Sequence, residues 1–116
     1  MQDTLKSFKY ASNGIKDAFN SEPNLRFHFL AAIAALLLSA YLNFSLTEIS
    51  ILVITIISVI SLELVNTIVE MIVDLHSKEI SEEARIIKDI SAGTVFISAI
   101  GAVVIGILLF LPKLLK

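Results

Sequence analysis

Residues 49–65 read Ile-Ser-Ile-Leu-Val-Ile-Thr-Ile-Ile-Ser-Val-Ile-Ser-Leu-Glu-Leu-Val, a β-branched and leucine-rich run whose one charge is Glu63. A helix rising 1.5 Å per residue needs about 20 apolar residues to cross the roughly 30 Å hydrocarbon core of a bilayer, and this run is close to that length. Two more such runs flank it. Phe27 to Phe44 is apolar except for His28, Ser39 and Asn43, and Ala92 to Leu111 is apolar with small residues at Ala92, Gly93, Ala99, Gly101, Ala102 and Gly106. Of the 116 residues, 56% are apolar and 17% charged, against about 45–50% and about 25% in ordinary soluble domains. A chain of this length forms one domain, 1–116, and cannot hide so much apolar surface from water, so a lipid bilayer must supply the second apolar medium. The first run begins well inside the chain and is followed by others, which sets aside a cleaved signal peptide. No cysteine is present, which excludes a disulfide framework, a thiolate zinc site and a cysteine nucleophile. A net charge of −2 without a long charged run argues against nucleic acid as a partner.

Helix-end chemistry sets the boundaries. Ser21, Glu22 and Pro23 read as a cap followed by a proline at the first helical position, so the first spanning helix is expected over 23–44. Ser45-Leu-Thr-Glu48 has capping-box spacing, so a short loop leads into a second helix over 47–75, antiparallel to the first. Ser81 with Glu82 and Glu83 opens a third over 82–111, which Pro112 is expected to end. Ahead of these, Leu5, Phe8, Ser12, Ile15 and Phe19 share one face of residues 1–22, the pattern of an amphipathic helix lying in the membrane surface. The expected architecture is an all-α membrane protein with three transmembrane helices and an N-terminal interfacial helix. Lys6, Lys9, Lys16 and Arg26 precede the first span, Lys78, Arg85 and Lys88 separate the second and third, and the opposite side carries only Lys113 and Lys116. Seven cations against two place the N-terminus and the 75–90 loop in the cytoplasm.

The second helix continues where its apolar character stops. Glu63, Asn66, Glu70 and Asp74 are spaced by three, four and four residues, so they keep to one line about 16 Å long. Like charges at this spacing repel, and a purely structural helix gains nothing from them. If the helix enters the outer hydrocarbon edge near Thr47, Glu63 lies about 24 Å in and Glu70 and Asp74 lie beyond the cytoplasmic boundary. Lys88 and Asp89 return to this layer on the third helix, and Glu22 and Arg26 reach it at the start of the first. An acid inside an apolar run is expensive and marks a functional site unless a base such as Lys88 neutralises it. Three helices cannot surround such a stripe well, so a homo-oligomer is expected, with the small residues of the third span allowing close packing.

Carboxylates in a cytoplasmic layer can hold Mg²⁺, which prefers one or two protein acids plus water and substrate phosphates. Phosphoryl transfer needs acids for the metal, a cation for the phosphates and a base for the acceptor. Glu63 fits the base, because it lies where a membrane lipid's hydroxyl would lie. The four glycines, Gly14, Gly93, Gly101 and Gly106, form neither GxxxxGK[ST] nor GxGxxG, so no familiar nucleotide fold is present. These residues alone leave a lipid-directed enzyme and a small proton-coupled membrane transporter using Glu63 both open. The transporter is the weaker fit, since it wants its acid near the midplane and has no use for the remaining polar layer.

Glu63-Leu-Val-Asn-Thr-Ile-Val-Glu70, followed by Val73-Asp74 and by Lys88-Asp89-Ile-Ser-Ala, resembles the signature of the small bacterial integral-membrane diacylglycerol kinases and undecaprenol kinases. The likeness runs from about Tyr10 to the C-terminus in motif order, span number and loop length. It implies a homotrimer with active sites shared between protomers in the bacterial plasma membrane, and an ATP- and Mg²⁺-dependent transfer to the hydroxyl of a membrane lipid. By that resemblance Glu63 is the base on the lipid hydroxyl, Glu70 and Glu22 hold Mg²⁺, and Asn66 and Asp74 order the metal and nucleotide groups. Lys88 contacts the ATP phosphates with Asp89 beside it, and Tyr10 and Glu79 lie at the nucleotide's edge. The run Glu22-x-Asn24-x-Arg26-x-His28 and the short N-terminal segment look more like the undecaprenol branch, typical of Gram-positive bacteria, than the diacylglycerol branch. His28 reads as an interfacial histidine bonded to a headgroup or a neighbouring helix.

Overall fold

A computed structural model describes residues 2–76, 79 and 81–116 and contains four α-helices: α1 (Gln2–Ser21), α2 (Pro23–Tyr41), α3 (Leu46–His76) and α4 (Glu82–Leu114). Lys78, one of the cations used to orient the chain, lies outside the described residues. Among the described residues, α2, α3 and α4 are long and apolar enough to cross a membrane, which makes this a multi-pass membrane protein. The 31 residues of α3 and 33 of α4 give rods of about 46 and 50 Å, well beyond the roughly 30 Å of hydrocarbon. The surplus of both helices carries the polar residues.

The junction between α1 and α2 is a single residue. Glu22 is extended at φ −115°, ψ 105°, and Pro23 opens α2, its missing N–H falling where no partner would exist. Ser21 closes α1 rather than capping α2, its hydroxyl donating to the Ala18 carbonyl. Arg26 folds back across the junction, and its Nη1 donates to the carbonyls of Phe19 (2.8 Å) and Asn20 (3.0 Å), serving the last orphan acceptors of α1. The Phe19 and Phe29 rings meet edge-on, 5.7 Å apart. Farther out on α1, Leu5, Phe8 and Ile15 remain exposed.

At the other end of the protein α2 stops at Tyr41, three residues before the expected Phe44. Asn43 takes φ 58°, a left-handed conformation that asparagine tolerates. The N–H of Phe44 donates to Ser39 O and that of Asn43 to Ala40 O, the paired bonds of a Schellman cap. Both halves of the next capping box form: Glu48 N–H donates to Ser45 Oγ (3.2 Å) and Ser45 N–H to Glu48 Oε1 (2.8 Å). Ser81 caps α4 by accepting from Ala84 N–H at 3.0 Å. Pro112 does not end α4, contrary to expectation; the helix runs on to Leu114, and Leu115 N–H donates to Leu111 O. A proline so close to the end removes one donor while the turn beyond it still closes.

The most extensive packing joins α3 to α4. Among the described residues Leu25, Leu52, Val59 and Leu109 are the buried apolar side chains, whereas Phe27, Leu37, Ile54, Phe96 and Ile97 are more than 60% exposed. A molecule 55 × 42 × 20 Å in extent is about two helix diameters deep, so most of its apolar surface must meet lipid or another protein.

Candidate active site

Leu52, Val59 and Asn66 recur every seven residues on α3, and Glu63 and Thr67 lie on the same buried side. The seam that packs the helix is therefore continuous with the polar stripe. Exposure rises along the stripe: Glu63 is 3% exposed and Asn66 9%, Glu70 is half-buried, and Asp74 is exposed. Thr67 Oγ1 donates to the Glu63 carbonyl at 3.1 Å, and Asn66 Nδ2 donates to Glu70 Oε1 at 3.4 Å. The Asn66 Oδ1 atom is buried and has no hydrogen-bond partner among the described residues.

Lys88 does not neutralise Glu63, which departs from the structural alternative the sequence offered. Its Nζ lies 2.6 Å from Asp74 Oδ1, because antiparallel α3 and α4 bring the start of one beside the end of the other. This hydrogen bond holds the Lys88 ammonium above its ordinary pKa, with Asp74 and Glu70 both favouring the charge; Lys88 lies outside the third apolar run. The side chain that does reach Glu63 is His28 on α2, with Nε2 3.7 Å from Oε2. The sequence reads His28 as an interfacial histidine bonded to a headgroup or a neighbouring helix, and here the neighbouring helix is α3. The signal that could have raised it was its position as the one basic side chain inside the first apolar run, six residues beyond Glu22.

Glu22 sits at the α1–α2 junction with its carboxylate unused as a cap, and Glu22 and Glu70 both act electrostatically on Glu63. The fold thus gathers Glu22, Glu63, Asn66 and Glu70, with Lys88 and Asp74 at the far end of the stripe. Asp89 is not gathered. One residue along α4 from Lys88 turns it by 100°, and it pairs with Arg85 at 2.8 Å while Arg85 also binds Glu82. Tyr10 is 68% exposed on α1, and Glu79 is exposed between α3 and α4.

Among the described residues no three His, Asp or Glu side chains converge to enclose an ion. The donor set still suits Mg²⁺, which takes one or two carboxylates and completes its shell with water and phosphate. Glu22 and Glu70 are hard oxygen donors, and the unpartnered Asn66 Oδ1 is an acceptor awaiting a donor or a cation. Beside this cluster an apolar groove of about 290 Å³ runs between the three long helices, walled by Ala31, Ala35, Ala99, Ala102 and Gly106, and His28 lies in its wall.

A family model described as prokaryotic diacylglycerol kinase matches residues 9–110. The chain belongs to that family. Curated relatives of this prokaryotic diacylglycerol kinase family member include an undecaprenol kinase of Bacillus subtilis, 39% identical over 110 residues, covering 95% of this chain and 89% of the relative. A diacylglycerol kinase of Synechocystis is 38% identical over 113 residues, covering 97% of this chain, which spans 65% of that protein's length. A diacylglycerol kinase of Haemophilus influenzae is 33% identical over 108 residues, 91% and 92% of the two chains. The family is one of lipid kinases, enzymes that transfer phosphate to an alcohol, and membership in it does not favour the proton-coupled transporter.

Proposed function

We propose that this protein is an ATP- and Mg²⁺-dependent kinase of a membrane lipid alcohol, with undecaprenol as the favoured acceptor. The observation that carries the reading is Glu63, an acid 3% exposed at the inner end of a polar stripe, with no Lys or Arg paired to it among the described residues. A buried carboxylate left without a permanent cation is suited to accept a proton from a substrate. Here it takes the proton of the lipid hydroxyl as that oxygen forms its bond to the γ-phosphorus of ATP, while the bond to the ADP oxygen breaks. Glu70 and Glu22 would hold Mg²⁺, which when bound neutralises charge on the transferring phosphates. Asn66 orders Glu70 and offers Oδ1 to the same cluster, and Lys88 exchanges Asp74 for a phosphate oxygen. Asp74, Tyr10 and Glu79 are assigned to the nucleotide side.

The chain is read as one membrane domain, with α1 lying in the membrane surface through Leu5, Phe8 and Ile15. The family resemblance supports a homotrimer in the bacterial plasma membrane, and the exposed apolar faces of the long helices leave surface for neighbouring protomers as well as lipid. In that assembly Asp89, turned away from its own stripe, serves a site shared with a neighbour. The cation tally supports a cytoplasmic N-terminus. For the acceptor, support comes from the Glu22-x-Asn24-x-Arg26-x-His28 run and from the likeness to the Bacillus subtilis protein. The test is purified protein in micelles with labelled ATP, Mg²⁺ and either undecaprenol or diacylglycerol. Label should pass to lipid, more readily to undecaprenol; label on neither lipid would overturn the reading, and preference for diacylglycerol would change the acceptor.

A further inference from the structure

His28 has a place that the proposed chemistry does not yet use. It lies in the wall of the apolar groove, and it also approaches Glu63 at 3.7 Å. Phe27 and His28 on α2 stand at the end of the groove marked on α3 by Ile60, one turn before Glu63, while Phe110 and Leu52 mark the other end. The groove and the buried acid therefore meet at this imidazole. Its side chain is 19% exposed, against 4% for that of Glu63, so it stands on the accessible side of the pair. At 3.7 Å the contact is electrostatic and beyond hydrogen-bond range. Among the described residues no hydrogen bond reaches the Glu63 carboxylate, and the other charged groups that act on it, Glu22 and Glu70, repel it. His28 is accordingly the one described side chain from another helix that attracts this carboxylate.

We propose that His28 is the positioning residue of Glu63. Its Nε2 edge draws Oε2 to one side and leaves Oε1 to meet an alcohol presented at the end of the groove. This rests on Glu63 being the proton acceptor, and it adds what aims that acceptor. A base must lie within hydrogen-bond reach of the proton it takes, and misplacement by about 1 Å can cost on the order of 100-fold in rate. Repulsion from Glu22 and Glu70 would otherwise leave the orientation of Glu63 unset.

Two substitutions separate positioning from packing. In His28→Gln the amide nitrogen falls near the place of Nε2, and in His28→Asn it falls near Nδ1, too short to reach Glu63. Wild type, H28Q, H28N and Glu63→Gln are compared for kcat, for KM of ATP and of the lipid alcohol, and for assembly. We expect H28Q to keep kcat within about threefold of wild type and H28N to lose about 10- to 100-fold in kcat, with KM for ATP unchanged and both assembled. Equal kcat in H28Q and H28N, whether high or low, overturns the proposal. So does a change confined to the KM of the lipid, which would make His28 groove lining only. Failure of either variant to assemble would assign His28 a structural role and also overturn it. Full turnover in E63Q would instead bring down the reading of Glu63 as the base, independently of His28.

Discussion

The two ends of the helical bundle treat charge in opposite ways. Where α2 turns into α3, Glu48 accepts from the Ser45 N–H, Lys113 of α4 lies 3.2 Å from it, and the Lys113 ammonium stands 5.9 Å from the centre of the Phe44 ring, which packs on Phe110. Acid and base answer each other there, and the result is a clasp. At the Glu63 end the outlying acids are paired too, Asp74 with Lys88 and Asp89 with Arg85, but Glu63 has only His28 at 3.7 Å, Glu22 and Glu70 have no ion pair among the described residues, and Asn66 Oδ1 has no hydrogen-bond partner. Saturated charge ties helices together, whereas unsaturated charge awaits something that arrives later. The difference marks one end as structure and the other as site.

The strongest way to break this contrast is at Glu63. Glu63→Gln should lower kcat by about 10²- to 10⁴-fold, the usual contribution of a positioned base, with ATP still bound; loss of nucleotide binding would move Glu63 to the ATP side. Next, Glu70→Gln should cost about 10²- to 10³-fold at ordinary Mg²⁺ while the oligomer survives, the scale seen when one charge-stabilising contact is removed. Full turnover in that variant would remove the metal assignment. Asn66→Leu sharpens the comparison by driving stability and activity apart. It fills the heptad seam of Leu52 and Val59 with an apolar side chain, so thermal stability should rise, by about 1 kcal/mol, while activity falls.

At the clasp the effects should be small. Lys113→Ala should leave turnover unchanged and lower the melting temperature by a few degrees at most, because a single half-buried ion pair that water still reaches contributes little net stability. Glu48→Gln, which removes the acid of the same clasp, should likewise leave turnover unchanged; a loss of activity in that variant would contradict the clasp.

Much of this was legible in the sequence because it is local. The proline after Glu22, the Ser45–Glu48 box and the Ser81 cap act within four residues of themselves, and the structure places them as read. The Glu63-to-Asp74 stripe follows from 3.6 residues per turn alone. What escaped was decided against local signals or across the fold. Asn43 adopted the left-handed cap and shortened α2, and the turn beyond Pro112 closed in spite of the proline.

By itself, the sequence determined that the chain spans a membrane, where its helices begin, and that one helix carries a line of acids, because hydropathy, capping and helical periodicity are properties of consecutive residues. Only the tertiary structure decided the partners. Lys88 went to Asp74 and His28 came to Glu63, since an ion pair depends on which turns of different helices lie side by side, and helix packing rather than spacing along the chain sets that.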